Sequence, residues 1–440
     1  MSQAPAARRG WRTPSIVYGA AVAAYFVGVT HRTALGVAGV EATLRFGLSA
    51  TGLAAFSVAQ LTVYAAMQIP AGRLLDRFGP RALIATGSLV MASGQLVLAL
   101  AHDVPTALVA RVLIGAGDAG IFISALRVVA DWFPPRRVPV MVQVTGVIGQ
   151  SGQLASAIPV ALLLHTRGWT ATFGTLAVAG LLASVGAFVG IRDREPQARS
   201  KSAQRFGPTV RRTVRTAGTR LGFWSHFATP FSANVVGMLW GVPFFLSAQG
   251  CTPAQASLLL TVLTLSAMAA GPLVGRLTAR HPLRRSWIVL SSCALTAVAW
   301  VTLLVPSTPR PMWQLLAFVV VIGAGGPVSL VGMDFARTWS PTSTLGTASG
   351  FVNTGGFIST IGSVLAVGVV LQAVSPPGAT SYTLDAYRAA FTVLLVPWVV
   401  GIAGVLRSRH LTRADMRAEG VVVPPIQQVL RRRRSDSDDA

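Results

Sequence analysis

Gly72-Arg73-Leu74-Leu75-Asp76-Arg77-Phe78-Gly79-Pro80-Arg81 is a short charged turn set between two long apolar runs. A degenerate copy, Gly275-Arg276-Leu277-Thr278-Ala279-Arg280-His281-Pro282-Leu283-Arg284, follows 203 residues later, with Ala279 where the first copy has Asp76. A second echo pairs Trp132-Phe133-Pro134 with Trp339-Ser340-Pro341, offset by 207 residues. Two stretches repeating at nearly one offset, close to half of a 440-residue chain, point to two homologous halves, the plan of many transporter folds.

A membrane-spanning helix needs about 20 mostly apolar residues. Working outward from the turn, such runs lie at 14–39, 49–73, 82–102, 105–130, 138–164 and 169–191, and then at 221–247, 253–276, 286–306, 311–334, 344–372 and 386–407. The sequence therefore predicts an all-α integral membrane protein of twelve spans in two six-helix halves, 14–191 and 221–407. Residues 192–220 form a polar, basic linker between them. Residues 1–13 and 408–440 flank the core, and the tail, with Arg431–Arg434 near its end, is expected to be disordered.

Composition supports this reading. Apolar residues make up 52% of the chain before its 44 glycines are counted, and charged residues only 12%. A soluble domain carries about twice that charge. The net charge of +23 raises the question of nucleic acid, but the placement of the arginines answers it. With the N-terminus inside, thirty of the 37 Lys+Arg fall on the cytoplasmic side and four outside. That is the positive-inside pattern, and it puts both termini in the cytoplasm. Arg32, Arg111 and Arg127 remain within spans. No nucleic-acid role is expected. Two cysteines, Cys251 and Cys293, build no disulfide framework. No residue cluster has metal-ligand spacing, no motif calls for a cofactor, and no catalytic constellation marks an enzyme. An Ala/Gly/Val/Arg-rich chain with a single lysine, Lys201, points to a GC-rich bacterium and so to an inner membrane.

At this point the first turn resembles motif A of the major facilitator superfamily, and the resemblance covers 14–407. Arg111-Val112-Leu113-Ile114-Gly115-Ala116-Gly117 is similar to that family's motif B. The resemblance implies alternating access, with spans one, four, seven and ten lining a central cavity. It also implies that Gly72, Asp76, Arg77, Gly79 and Arg81 form a gate, with Asp76 at the N-terminus of span eleven. The family's basic residue four after the aspartate is Pro80 here. Arg81 is expected to take over that role and to pair with Asp131. The Gly-Pro motif that the superfamily's drug/proton antiporters carry in span five is absent, which favours uptake over efflux. Nitrate porters place arginines in spans two and eight, and those interiors hold none here.

Ionisable residues inside spans mark function by default, because burying them is costly. Arg32 beside His31 in span one, and Arg111 and Asp118 in span four, would form one cluster of formal charge +1. Such a cluster suits an anionic substrate, with Asp118 or His31 as proton carrier. Gln60 and Tyr64, with Gln68, form a polar stripe on span two. Gln150, Asn234, Trp240 and Asn353 extend the candidate substrate contacts. The 207-residue offset also matches Arg127 to Asp334, a candidate ion pair across the halves, for which Asp131 competes at Arg127 and Arg337 at Asp334. The reading is a monomeric secondary transporter in the lipid bilayer, taking up a small organic anion with protons. Proton-coupled efflux of drugs or metabolites, and a transporter-like membrane sensor, are the alternatives.

Overall fold

The computed structural model describes residues 12–47, 50–193, 206–376, 379 and 381–421. The N-terminal 1–11, most of the linker (194–205) and the Arg431–Arg434 run lie outside the described residues. Among those described there are helices and turns and no strands. Among the described residues ten helices are long and apolar enough to cross a membrane, and two of these are far too long to do so once. Val58–Leu100 has 43 residues and Val138–Gly190 has 53. At 1.5 Å per residue they would reach about 65 and 80 Å, against a hydrocarbon core of about 30 Å.

Each folds back at a glycine with positive φ, Gly79 (φ 84°) and Gly168 (φ 74°). The packing proves the reversal. Gly115 and Gly117, neighbours on span four, lie against Gln60 and Gly87. In a straight helix those two partners would stand about 40 Å apart. Likewise Gly152 and Gly180 both meet the 26–31 stretch of span one. The ten helices therefore make twelve passes.

Local chemistry sets their ends. Asp103 caps span four (Val104–Trp132), accepting bonds from the Thr106 amide at 2.8 Å and its hydroxyl at 2.9 Å. Those bonds hold its carboxyl below the ordinary range. Thr252 and Gln255 form a reciprocal capping box before span eight (Pro253–Arg280), and Thr383 caps span twelve (Leu384–Ala418). Span seven begins at Ala217, earlier than expected, and span twelve runs on past the expected end at 407 to Ala418. The linker contains a helix, Phe206–Arg215, that turns Thr209 and Thr213 inward and its arginines outward.

Several passes depart from regular α geometry. Span five widens at Ser156–Val160, around Pro159, and span seven at Val236–Trp240 and Phe244–Ala248, around Pro243. Span ten (Met312–Trp339) tightens at Gly326–Leu330, around Pro327. Such segments leave carbonyls unpaired, and membrane proteins tolerate them only where neighbouring helices supply donors. Here Gln143 donates to the Pro327 carbonyl at 2.9 Å, and the His226 ring meets the Ser329 carbonyl at 2.9 Å.

Each half has a large core, and the first half adds a smaller cluster around Val17, Ile84 and Val128. The first large core also takes in Met333, Ala336, Ala348 and Val352 from spans ten and eleven. These lie near the face that carries the 72–81 turn, here called the basic face. Large side chains on the flank of span six, such as Leu182 and Val189, are two-thirds exposed or more and meet lipid.

Candidate functional site

Span four has 29 residues, and Asp118 lies at its middle. Its carboxylate is fully buried and receives both arms of one guanidinium. Arg32 Nε donates to Oδ2 at 2.5 Å, and Nη2 donates to Oδ1 at 3.0 Å. Gly28, one turn before Arg32 on span one, lies beside the carboxylate; a Cβ there would stand 3.6 Å from Oδ1, an ordinary contact. The other face of the guanidinium covers the Tyr64 ring of span two, 4.8 Å from its centroid. Tyr64 in turn packs on Phe357 of span eleven, with ring centroids 4.8 Å apart. The ion pair thus belongs to the first half but stands at its boundary with the second. Arg32 keeps 21% of its side chain accessible.

Arg111 is not part of that pair. It is buried, and its Nε and Nη1 have no acceptor. The expected cluster therefore resolves into a bonded Arg32–Asp118 couple and an arginine without a carboxylate. Gln60 lies one turn along from Arg111's level, against Gly115, with both amide atoms buried and unpartnered. His31 faces elsewhere. Its ring packs against Gly180 of span six. Adjacent helical residues point about 100° apart, so the two side chains cannot share a direction. Gln150 holds a buried, unpartnered Oε1 on span five. Asn234 donates to Thr360 at 3.1 Å and Trp240 to the Val364 carbonyl at 2.9 Å, which ties span seven to span eleven within the second half.

Below the pair, spans two and eleven are joined to the basic face in steps of about four residues. Asn353 Nδ2 donates to Gln68 Oε1 at 2.7 Å. Gln68 is itself oriented by donating to the Tyr64 and Ala119 carbonyls. Gly72 and Gly346 then pack backbone to backbone, with no space for a side chain on either. Last, Asp76 seals the start of span eleven. It accepts from the Gly346 amide at 2.7 Å, the Thr347 amide at 2.8 Å and the Thr347 hydroxyl at 2.6 Å. A buried carboxylate on a helix N-terminus satisfies otherwise orphaned N–H groups and meets the positive end of the dipole. Gly275 on span eight packs against Pro139 and Val140 of span five at the same face.

Two expected pairings are not made. Arg81 does not reach Asp131. Its amide donates to Asp193 at 3.1 Å, its Nε donates to the Phe188 carbonyl at 2.7 Å, and its guanidinium covers the Phe188 ring. It fastens span three to span six instead. Arg77 stays local, over Phe78. Nor does Arg127 pair with Asp334, although both line one small cavity between the halves. Arg127 bonds Asp131 one turn on at 2.9 Å, donates to the Thr342 carbonyl at 2.7 Å and stands 4.0 Å from Asp76. Asp334 is held by Arg337 at 2.7 Å and by Arg285 at 2.8 Å. Arg285 was expected at a span edge and is buried. His226, a histidine inside span seven, was not among the expected candidates. It sits between Ser329 and Gly356.

Twelve passes, a buried ion pair midway along span four and a set of bonds between the halves at one face define a multi-pass membrane protein. A family model described as Major Facilitator Superfamily matches residues 19–249 and again 222–434, and the chain belongs to that superfamily. It is 27% identical over 191 residues to a probable L-galactonate transporter of Escherichia coli strain K12, an alignment covering 43% of this chain and 42% of that protein. It is 26% identical over 170 residues to the probable sulfoacetate transporter SauU of Cupriavidus necator, covering 39% and 40%. The matched stretch is thus about two fifths of the length of these relatives. The proton:xylose symporter XylE, solved with 6-bromo-6-deoxy-D-glucose, superposes with a TM-score of 0.67 at 14% identity, over 90% of this chain and 96% of its own. That likeness establishes the fold.

Proposed function

We propose that the protein takes up a small organic anion together with protons, by alternating access, across a bacterial inner membrane. The basic face is then cytoplasmic, with both termini on that side, as the positive-inside rule requires. The observation that carries the reading is the Arg32–Asp118 pair. While Asp118 is charged, it occupies both arms of Arg32. A proton on Asp118 cancels that attraction and frees a guanidinium fork. A substrate carboxylate or phosphate can then take the fork in charge-assisted, bidentate bonds. Proton and anion therefore load together, and Arg111 adds positive charge nearby. The named contacts between the halves, from Tyr64–Phe357 down to Asp76–Thr347, lie at or on the basic side of mid-membrane. This form is closed at the cytoplasm.

The relatives, a probable L-galactonate transporter and a probable sulfoacetate transporter, support an organic anion, and a proton symporter shares the fold. The test is a thermal-shift screen of purified protein against carboxylates, sulfonates, neutral sugars and lipophilic cations, followed by counterflow of the best hit in proteoliposomes. Stabilisation by anions with counterflow supports the reading. Binding confined to cations or neutral lipophiles would replace it with efflux, and binding without counterflow with sensing.

A further inference from the structure

The last helix is too long for the membrane. Leu384–Ala418 has 35 residues, about 52 Å, so its final turns leave the hydrocarbon core and enter the headgroup zone. Arg409, Arg413 and Arg417 recur there at four-residue steps and share one face. That face meets the start of span nine (Arg285–Leu304). The Arg409 guanidinium lies over the Trp287 ring, 4.7 Å from its centroid. Trp287 is the third residue of its span and 41% exposed, the setting of an interfacial belt tryptophan. Both helices therefore place this contact at the same membrane boundary.

The local charge is unbalanced. Arg413 lies beside both Arg417 and Arg284. Among the described residues no ion pair engages Arg409, Arg413 or Arg417, although Asp415 and Glu419 share their helix. Arg409 Nε is buried without a partner. Like charges at four-residue steps repel one another. Leu406, one turn toward the membrane from Arg409 on the same face, and Leu283, just before span nine, stand exposed.

We propose that Trp287, Arg409, Arg413 and Arg417 form a headgroup site for an anionic phospholipid. Its phosphate sits between the arginines, and its acyl chains descend past Trp287 and Leu406. Charge calls for the phosphate, and the exposed apolar rim calls for the chains. A free phosphate ion meets only the first demand.

The test uses the full chain, purified and delipidated in neutral detergent. Phosphatidylglycerol, phosphatidylcholine and inorganic phosphate are added separately, and thermal midpoint and bound lipid by native mass spectrometry are read. Phosphatidylglycerol should raise the midpoint, and the other two should not. Arg409→Gln with Arg413→Gln should weaken phosphatidylglycerol binding roughly fivefold per arginine removed. Arg211→Gln with Arg212→Gln, on the linker helix, removes the same net charge and should leave that binding unchanged. Arg417→Gln, at an exposed position, repeats the test if the double variant does not fold. Equal stabilisation by phosphatidylcholine, equal loss in the linker variant, or full replacement by inorganic phosphate would each overturn the proposal.

Discussion

Replacing Asp76 with Asn exchanges one acceptor oxygen for an NH2 group at the start of span eleven. The carboxylate now accepts three bonds, from the Gly346 amide, the Thr347 amide and the Thr347 hydroxyl. All three partners are donors to it, so the asparagine NH2 must face at least one of them. The substitution loses a charge-assisted bond of about 1.5–3 kcal/mol. It also loses the dipole interaction, about 0.3–1 kcal/mol and more when buried. A total of about 2–4 kcal/mol falls on the form closed at the basic face, because these bonds join the two halves. The closed-to-open ratio should drop about 30- to 1,000-fold. The span itself should survive, since its other bonds are internal. The assay is labelling of a cysteine introduced at Ser349, beside the small cavity between the halves, with a membrane-impermeant thiol reagent applied from the basic side. Labelling should speed up, and solute uptake at equal expression should fall strongly. Unchanged labelling together with parental uptake would show that Asp76 does not latch the halves.

Asp118→Asn should abolish accumulation against a gradient while leaving counterflow measurable, with both read from labelled solute in proteoliposomes. Persistent accumulation would place the proton site elsewhere. Arg32→Gln should weaken anion binding about tenfold or more, because a charge-assisted fork is lost. Gln60→Ala should change it by less than about threefold, and calorimetry on the same anion separates the two. Asp334→Asn leaves Arg285 and Arg337 facing a neutral amide, with Arg285 buried. The expected loss is about 3–5 kcal/mol, read as a lower thermal midpoint. Adding Arg127→Asp to Asp334→Arg should not rescue transport, since the two residues bond different partners; rescue would mean they meet in another state.

The spans were legible because the bilayer imposes length and apolarity together, and runs of about 20 uncharged residues are hard to mimic. Boundaries were less so. The end of span twelve reads as a basic tail, yet Ser408 and Thr412 turn into the bundle and carry the helix to Ala418. The linker helix had a signal in the four-residue spacing of Thr209 and Thr213, hidden among arginines. Depth placed Arg32 and Asp118 at one level, but depth does not give direction. His31 and Arg32 share a depth, and only one of them can face the boundary between the halves. Arg81 shows the same limit. Shifted one residue by Pro80, it turns about 100° and finds span six rather than span four. Arg127 and Asp334 were matched by the repeat, but each had an opposite charge within one turn. A local partner costs less chain ordering than one across the halves. His226 gave no hydropathy break and Arg285 reads as the end of the basic loop before span nine, so only the packing reveals their roles.

The central claim is that an anion and a proton load together at Arg32 and Asp118. The direct measurement is proton movement in proteoliposomes with a pH dye trapped inside and no imposed gradient. Adding an anion found by the binding screen should acidify the lumen. Asp118→Asn should abolish the signal while anion counterflow continues. Anion entry by the parent protein without any change in luminal pH, or acidification that survives in Asp118→Asn, would contradict the account.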